Sequence, residues 1–189
     1  MKFAFFAMVL TFLNVGFAQH EHSLANAKIA HDASHRLGRL VDTGRMDESY
    51  VNNLSSLELV ALPHTDHAGP AFKVTASVGT GANKAELLFD MSGKFLSSKV
   101  VASAPTEVSP WTETAGSELI EAALHSLTEA TSPELMSFAK DLAKVSLKQS
   151  KKDDGSVEAI VLITSSSSAK TVQVTLSTAG TVLGTSILQ

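Results

Sequence analysis

The sequence contains no cysteine. Disulfides, thiol nucleophiles and cysteine-ligated metal centres are excluded, as is lipid attachment at an N-terminal cysteine. The fold must therefore rest on its core alone. Tryptophan and tyrosine each occur once, as Trp111 and Tyr50. Cations are not concentrated anywhere. Lys and Arg number 15 against 19 Asp and Glu, for a net charge of −4, and the basic stretch KQSKKDDG neutralises itself. Binding to nucleic-acid phosphates needs clustered cations, so the composition argues against a nucleic-acid partner. There is no G-x-S-x-G elbow and no phosphate-cradling P-loop. The glycines of GTGAN lie between two strand patterns and read as a hairpin turn. Ser168 and Lys170 sit in SSSSAK, a turn pattern, whereas an S-x-x-K pair requires a helix.

What is present begins with a leader. Met1-Lys2 supplies one positive charge, and Phe3 to Leu13 is apolar. The run ends in NVGFA, with Gly16 and Ala18 at the small-residue positions of a cleavage site before Gln19. An uncleaved anchor is the competing reading, but a spanning helix needs about 20 apolar residues. This run is shorter and is interrupted by Asn14. A signal peptide over 1–18 is expected. The remainder is then periplasmic or secreted, is not a lipoprotein, and has no stable membrane insertion after cleavage.

The chain also resembles itself. At an offset of 87, Leu37 meets Leu124, Leu40 meets Leu127, Phe89 meets Leu176 and Gly93 meets Gly180. At 88, Tyr50 meets Phe138 and Leu57 meets Val145. Each half begins with a helical pattern, over 24–41 and 117–130. Ile29, Ala33, Leu37 and Leu40 share one face of the first. Leu119, Ala122, Ala123 and Leu127 share one face of the second. A short helix follows each, one near Asp47 and one opened by Ser132 as N-cap with Pro133 behind it. Strands come next. Phe72, Val74, Ala76 and Val78 alternate with polar residues, the period of a sheet with one wet face. In the second half VEAIVLIT, KTVQVTL and TVLGTSIL read as strands. The expected fold class is α+β: two repeated helix–helix–antiparallel-meander units, helices packed on one face of the sheet(s). The first unit spans 19–103, a linker 104–116, and the second 117–189. Whether the meanders join or stand apart stays open. Trp111, beside Pro110 in the linker, is expected to pack between the halves.

The segment AFKVTASVGTGANKAELLFDMSGKFLSSKVV resembles the PepSY-type module found in peptidase propeptides. Asp90, Gly93, Lys94 and Leu96 match its D-x-x-G-K-x-L hairpin, whereas the second half keeps only Gly180 and Leu183. The tandem layout is also similar to β-lactamase-inhibitor-type proteins, although their usual disulfides have no counterpart here. These resemblances imply an exported binding or inhibitor-like protein rather than an enzyme, with another exported protein or a peptidase as partner. No cofactor is implied.

The alternative is metal binding through histidine. His31-Asp32-Ala33-Ser34-His35 reads H-D-x-x-H, and two histidines four apart on a helix project from one face. The zinc-protease version has Glu where Asp32 stands. No third ligand lies at a family spacing. The helical wheel places His31 and His35 away from the core stripe, beside Lys28, Arg39 and Asp42. His64-Thr65-Asp66-His67 lies in a loop between strands and offers a second imidazole pair for Zn²⁺ or Cu²⁺. His20 and His22 fall at the N-terminus that cleavage would create, and His125 has no ligand neighbour in sequence. His31, His35, His64 and His67 are thus the candidate metal residues. The competing reading is ordinary surface histidines. The loop pair is not expected to reach the helix pair.

Overall fold

The computed structural model describes residues 23–63, 69–79, 83–104 and 114–189. Helix α1 is Ser23–Asp42 and α2 is a single turn, Ser49–Asn52. Strands β1 (Leu54–Ala61), β2 (Phe72–Val78), β3 (Asn83–Phe89) and β4 (Phe95–Ala102) follow. Then come α3 (Gly116–Thr128) and α4 (Pro133–Lys140). The chain ends with β5 (Leu142–Lys151), β6 (Val157–Ser165), β7 (Thr171–Leu176) and β8 (Val182–Leu188).

The expected pair of repeated helix–helix–meander units is corrected by the sheet. All eight strands form one antiparallel sheet in the order β4-β3-β2-β1-β5-β6-β7-β8. The closing step is the pairing of β1 with β5, where Ser56, Leu57 and Glu58 oppose Ser146, Val145 and Lys144. The physical reason is the cost of open edges. Two separate meanders would leave the backbone N–H and C=O groups of β1 and β5 unpaired beside each other. The helices also cross between the halves. α1 packs on α3 and α4, and Asn26 Nδ2 on α1 donates to the Leu142 carbonyl at 3.2 Å. One hydrophobic core results, not two.

Register explains the layers. One row across the sheet runs Ala85–Ala76–Leu57–Val145–Ile163–Val172, and each of these residues is buried. The neighbouring row runs Lys99–Glu86–Thr75–Glu58–Lys144–Thr164–Thr171, which is polar throughout. Successive strand residues point to opposite faces, so the apolar rows take the helices and the polar rows face away from them. Glu86 pairs with Lys99 at 3.0 Å and with Lys73 at 3.8 Å on that polar face.

Strand β5 has no counterpart among the second-half strands expected from the sequence. Ser132 occupies the N-cap of α4, but its hydroxyl makes no capping bond; the Ser132 carbonyl takes the Met136 N–H at 3.0 Å. Ile29, Ala33, Leu37 and Leu40 are buried as the helical stripe requires. Gly116 opens α3 against β1, where any side chain would collide with the Leu54 carbonyl. That close approach fixes α3 over the β1–β5 seam. Among the described residues no helix is long and apolar enough to cross a membrane.

Candidate metal centre

α1 packs on α3. Ala27, Ala30 and Ala33 of α1 are buried, as are Ile120, Ala123 and Leu124 of α3. Polar groups beside these buried residues come within reach of each other across the contact. His31 and His35 stand one turn apart on α1. Across the gap stands Glu121 of α3. His35 Nε2 lies 2.9 Å from Glu121 Oε1, and His31 Nε2 lies 3.5 Å from the same oxygen. The two imidazoles meet edge to face, with centroids 4.5 Å apart. One ligand atom from each of the three residues lies within 4.8 Å of the others.

That spacing suits a metal ion. Ligand bonds of about 2.0–2.1 Å in a tetrahedron put neighbouring donor atoms about 3.4 Å apart. The His31–Glu121 separation is within about 0.1 Å of this value, and the His35–Glu121 contact needs to open by about half an ångström to match it. Two imidazoles and one carboxylate leave a fourth position for water. The side chains of His31 and Glu121 are 33% and 32% exposed and that of His35 is 57% exposed, so an ion has direct access from solvent.

Two neighbours shape the centre. Asp32 Oδ1 lies 3.8 Å from the far nitrogen of His31, and Asp32 Oδ2 accepts from Lys28 Nζ at 2.6 Å. Asp32 therefore lies near the Nδ1 side of His31, whereas Glu121 approaches Nε2. Beyond His31 the groove between α1 and α3 continues as a cavity of about 220 Å³, lined by Ala27, Lys28, His31, Leu124, His125 and Thr128. His125 Nδ1 is 3.2 Å from Glu129 Oε1 there, one turn beyond Glu121 on α3.

The sequence-predicted residues fare differently. His31 and His35 come together as their spacing requires. They lie off the buried stripe of α1, with His35 exposed, and α3 stands beside them and supplies Glu121. His64 and His67, like His20, His22 and Trp111, lie outside the described residues. Glu121 was missed, because it matches no motif and reaches the histidines only through helix packing. Ser168 and Lys170 form no catalytic pair: the Ser168 hydroxyl accepts the Lys170 backbone N–H at 3.1 Å, while Lys170 Nζ donates to Glu134 at 2.9 Å.

A second cavity, of about 530 Å³, lies beside the turn after α1 and includes Arg45, Asp47, Tyr50 and Asn83 in its lining. The Tyr50 hydroxyl is buried without a hydrogen-bond partner among the described residues. Burial, with the Asp47 charge adding to it, pushes its pKa up.

No known family profile matches the chain, and no curated protein matches it. Among solved structures, a predicted lipoprotein from Clostridium difficile 630 is 12% identical. The alignment covers 78% of this chain and 89% of that one, with a TM-score of 0.28. A BLIP-like protein from Bacteroides fragilis NCTC 9343 is 13% identical, covering 78% and 91%, with a TM-score of 0.24. At these scores neither likeness carries an argument about function.

Proposed function

We propose that the chain is an exported, non-enzymatic binding protein whose ligand is a late first-row divalent ion, Zn²⁺ or Cu²⁺, held by His31, His35 and Glu121. The observation that carries this reading is the convergence of all three ligand atoms within 4.8 Å across the α1–α3 contact. Imidazole selects Zn²⁺ and Cu²⁺ over Mg²⁺ and Ca²⁺, which prefer all-oxygen shells. The leader over 1–18 supports export. Isothermal titration with ZnCl₂ is expected to give one site per chain. His31→Ala combined with His35→Ala should abolish it. Glu121→Gln should weaken it by about tenfold or more, since even groups that only orient a ligand are worth that much. His64→Ala with His67→Ala should leave it unchanged. Undiminished Zn²⁺ affinity in the His31/His35 double variant would end this proposal.

A second reading, an inhibitor-like protein that binds another exported polypeptide or a peptidase, is favoured by the polar sheet face, which no helix covers among the described residues. The PepSY-like resemblance at Asp90, Gly93, Lys94 and Leu96 supports the same class. Its test is capture of an exported partner that is lost when Thr75→Arg and Thr164→Arg are placed on that face. Capture that survives both changes removes this reading.

A further inference from the structure

β8 ends the sheet, and its outer edge has no neighbouring strand among the described residues. Natural edge strands resist strand addition with charge, proline, a β-bulge or a covering element. β4, at the opposite end, carries Lys99 paired to Glu86. β8 carries neither charge nor proline, and among the described residues no strand pairs with its outer edge; its one edge device is the bulge at Leu183. From Thr171 to Gln189 the chain contains no Lys, Arg, Asp, Glu, His or Pro. Every residue of β8 except Ile187 is exposed, including Val182, Leu183 and Leu188.

The order of residues in β8 points to its occupant. VLGTSIL has the same hydropathy pattern in both directions about Thr185: Leu183 balances Ile187, and Gly184 balances Ser186. An antiparallel twin centred on Thr185 places Leu183 opposite Ile187 of the second copy and Gly184 opposite its Ser186. Thr185 then faces its own counterpart. Large apolar residues meet large apolar residues, and small meet small, with no charge left unpaired. Opposed side chains on one face are the unit that stabilises such a pair. Leu183 is also the residue that the β7–β8 register skips, so it has no Cα partner within its own chain.

We infer that β8 pairs with β8 of a second copy of this chain, antiparallel across a twofold axis, so that the two sheets become one. An isologous contact of this kind closes on itself and stops at the dimer.

Sedimentation equilibrium of the purified chain tests the inference. The unaltered protein is expected to show a concentration-dependent monomer–dimer equilibrium. Thr185→Lys sets two like charges against each other at the axis and should raise the dimer dissociation constant about tenfold or more. Thr185→Val should keep the dimer. Thr185 is exposed in the monomer, and far-UV circular dichroism checks that each variant is folded. If Thr185→Lys does not fold, hydrogen exchange on the unaltered chain decides the question. Backbone N–H exchange over 183–187 must slow as protein concentration rises. A monomer at every concentration, a dimer indifferent to Thr185→Lys, or exchange independent of concentration each overturns the pairing.

Discussion

Asp90 holds the β3–β4 turn with its side chain as well as its backbone. Its Oδ1 accepts the Ser92 hydroxyl at 2.6 Å, the Ser92 N–H at 2.9 Å and the Lys94 N–H at 3.0 Å. These bonds, led by the Ser92 hydroxyl and the Lys94 N–H, hold the carboxyl below its ordinary pKa, against the opposing effect of burial. A depressed folded-state pKa means that the stability Asp90 contributes is present above the unfolded value of about 3.9 and is lost as pH falls through the folded value. Asp90→Asn should therefore unfold at lower urea concentration than the unaltered chain at pH 7. The gap should shrink as pH falls below about 4. A gap that stays constant on acidification would show that Asp90 acts through its shape and not its charge. The β7–β8 turn reaches similar geometry with a weaker acceptor: the Ser177 hydroxyl takes the Thr181 N–H at 3.1 Å, and Gly180, at φ +83°, matches Gly93 at φ +79°. Both glycines need that left-handed backbone, which a side chain would strain.

At the scale of elements, close packing decides where the site falls. α3 lies over β1 only because Gly116 has no side chain to strike Leu54. Gly116→Ala should cost about 1–3 kcal/mol by overpacking, read as a lower urea midpoint with an unchanged m-value. It should also weaken Zn²⁺ binding, since Glu121 rides on the displaced helix. Equal stability and equal affinity would show that the α3 N-terminus yields freely. The helices were legible in the sequence because their stripes are strong: Ile29, Ala33, Leu37 and Leu40 repeat at helical spacing and are all buried. β5 was not. Only Leu142, Val145 and Leu147 of its ten residues are buried, and a register shift between Leu142 and Lys144 breaks their alternation. Period-two patterning cannot survive an inserted residue. Two of the three residues of the candidate metal centre were legible as well, because His31 and His35 sit four apart on one predicted helix. Glu121 was not, because a lone acid on a distant helix carries no local signal of what it faces.

At the scale of the whole molecule, the single sheet was illegible for a related reason. Strand pairing at the β1–β5 seam uses backbone groups that every strand possesses, and an inward Leu57 or Val145 has the same pattern at an edge as at the centre. The core beneath the seam has a measurable consequence. α1 packs on α4 and bonds to β5 through Asn26, while α3 packs on β1, so neither half keeps its core when the other unfolds. The chain should melt in one transition, with the calorimetric enthalpy equal to the van't Hoff enthalpy, the signature of two-state unfolding. Two resolved transitions would mean that the halves fold separately after all. Zn²⁺ sharpens the same experiment. On the proposed site it would bridge α1 to α3 in a chain with no cysteine to staple them, and it would bind only the folded form tightly. At about 100 times its Kd it should stabilise the chain by about 2.7 kcal/mol. If the molecule is one cooperative unit, that increment moves the whole transition upward. If the halves were independent, an ion held between them would raise the midpoint and also merge two transitions into one, so the shape of the metal-free melt tells the cases apart.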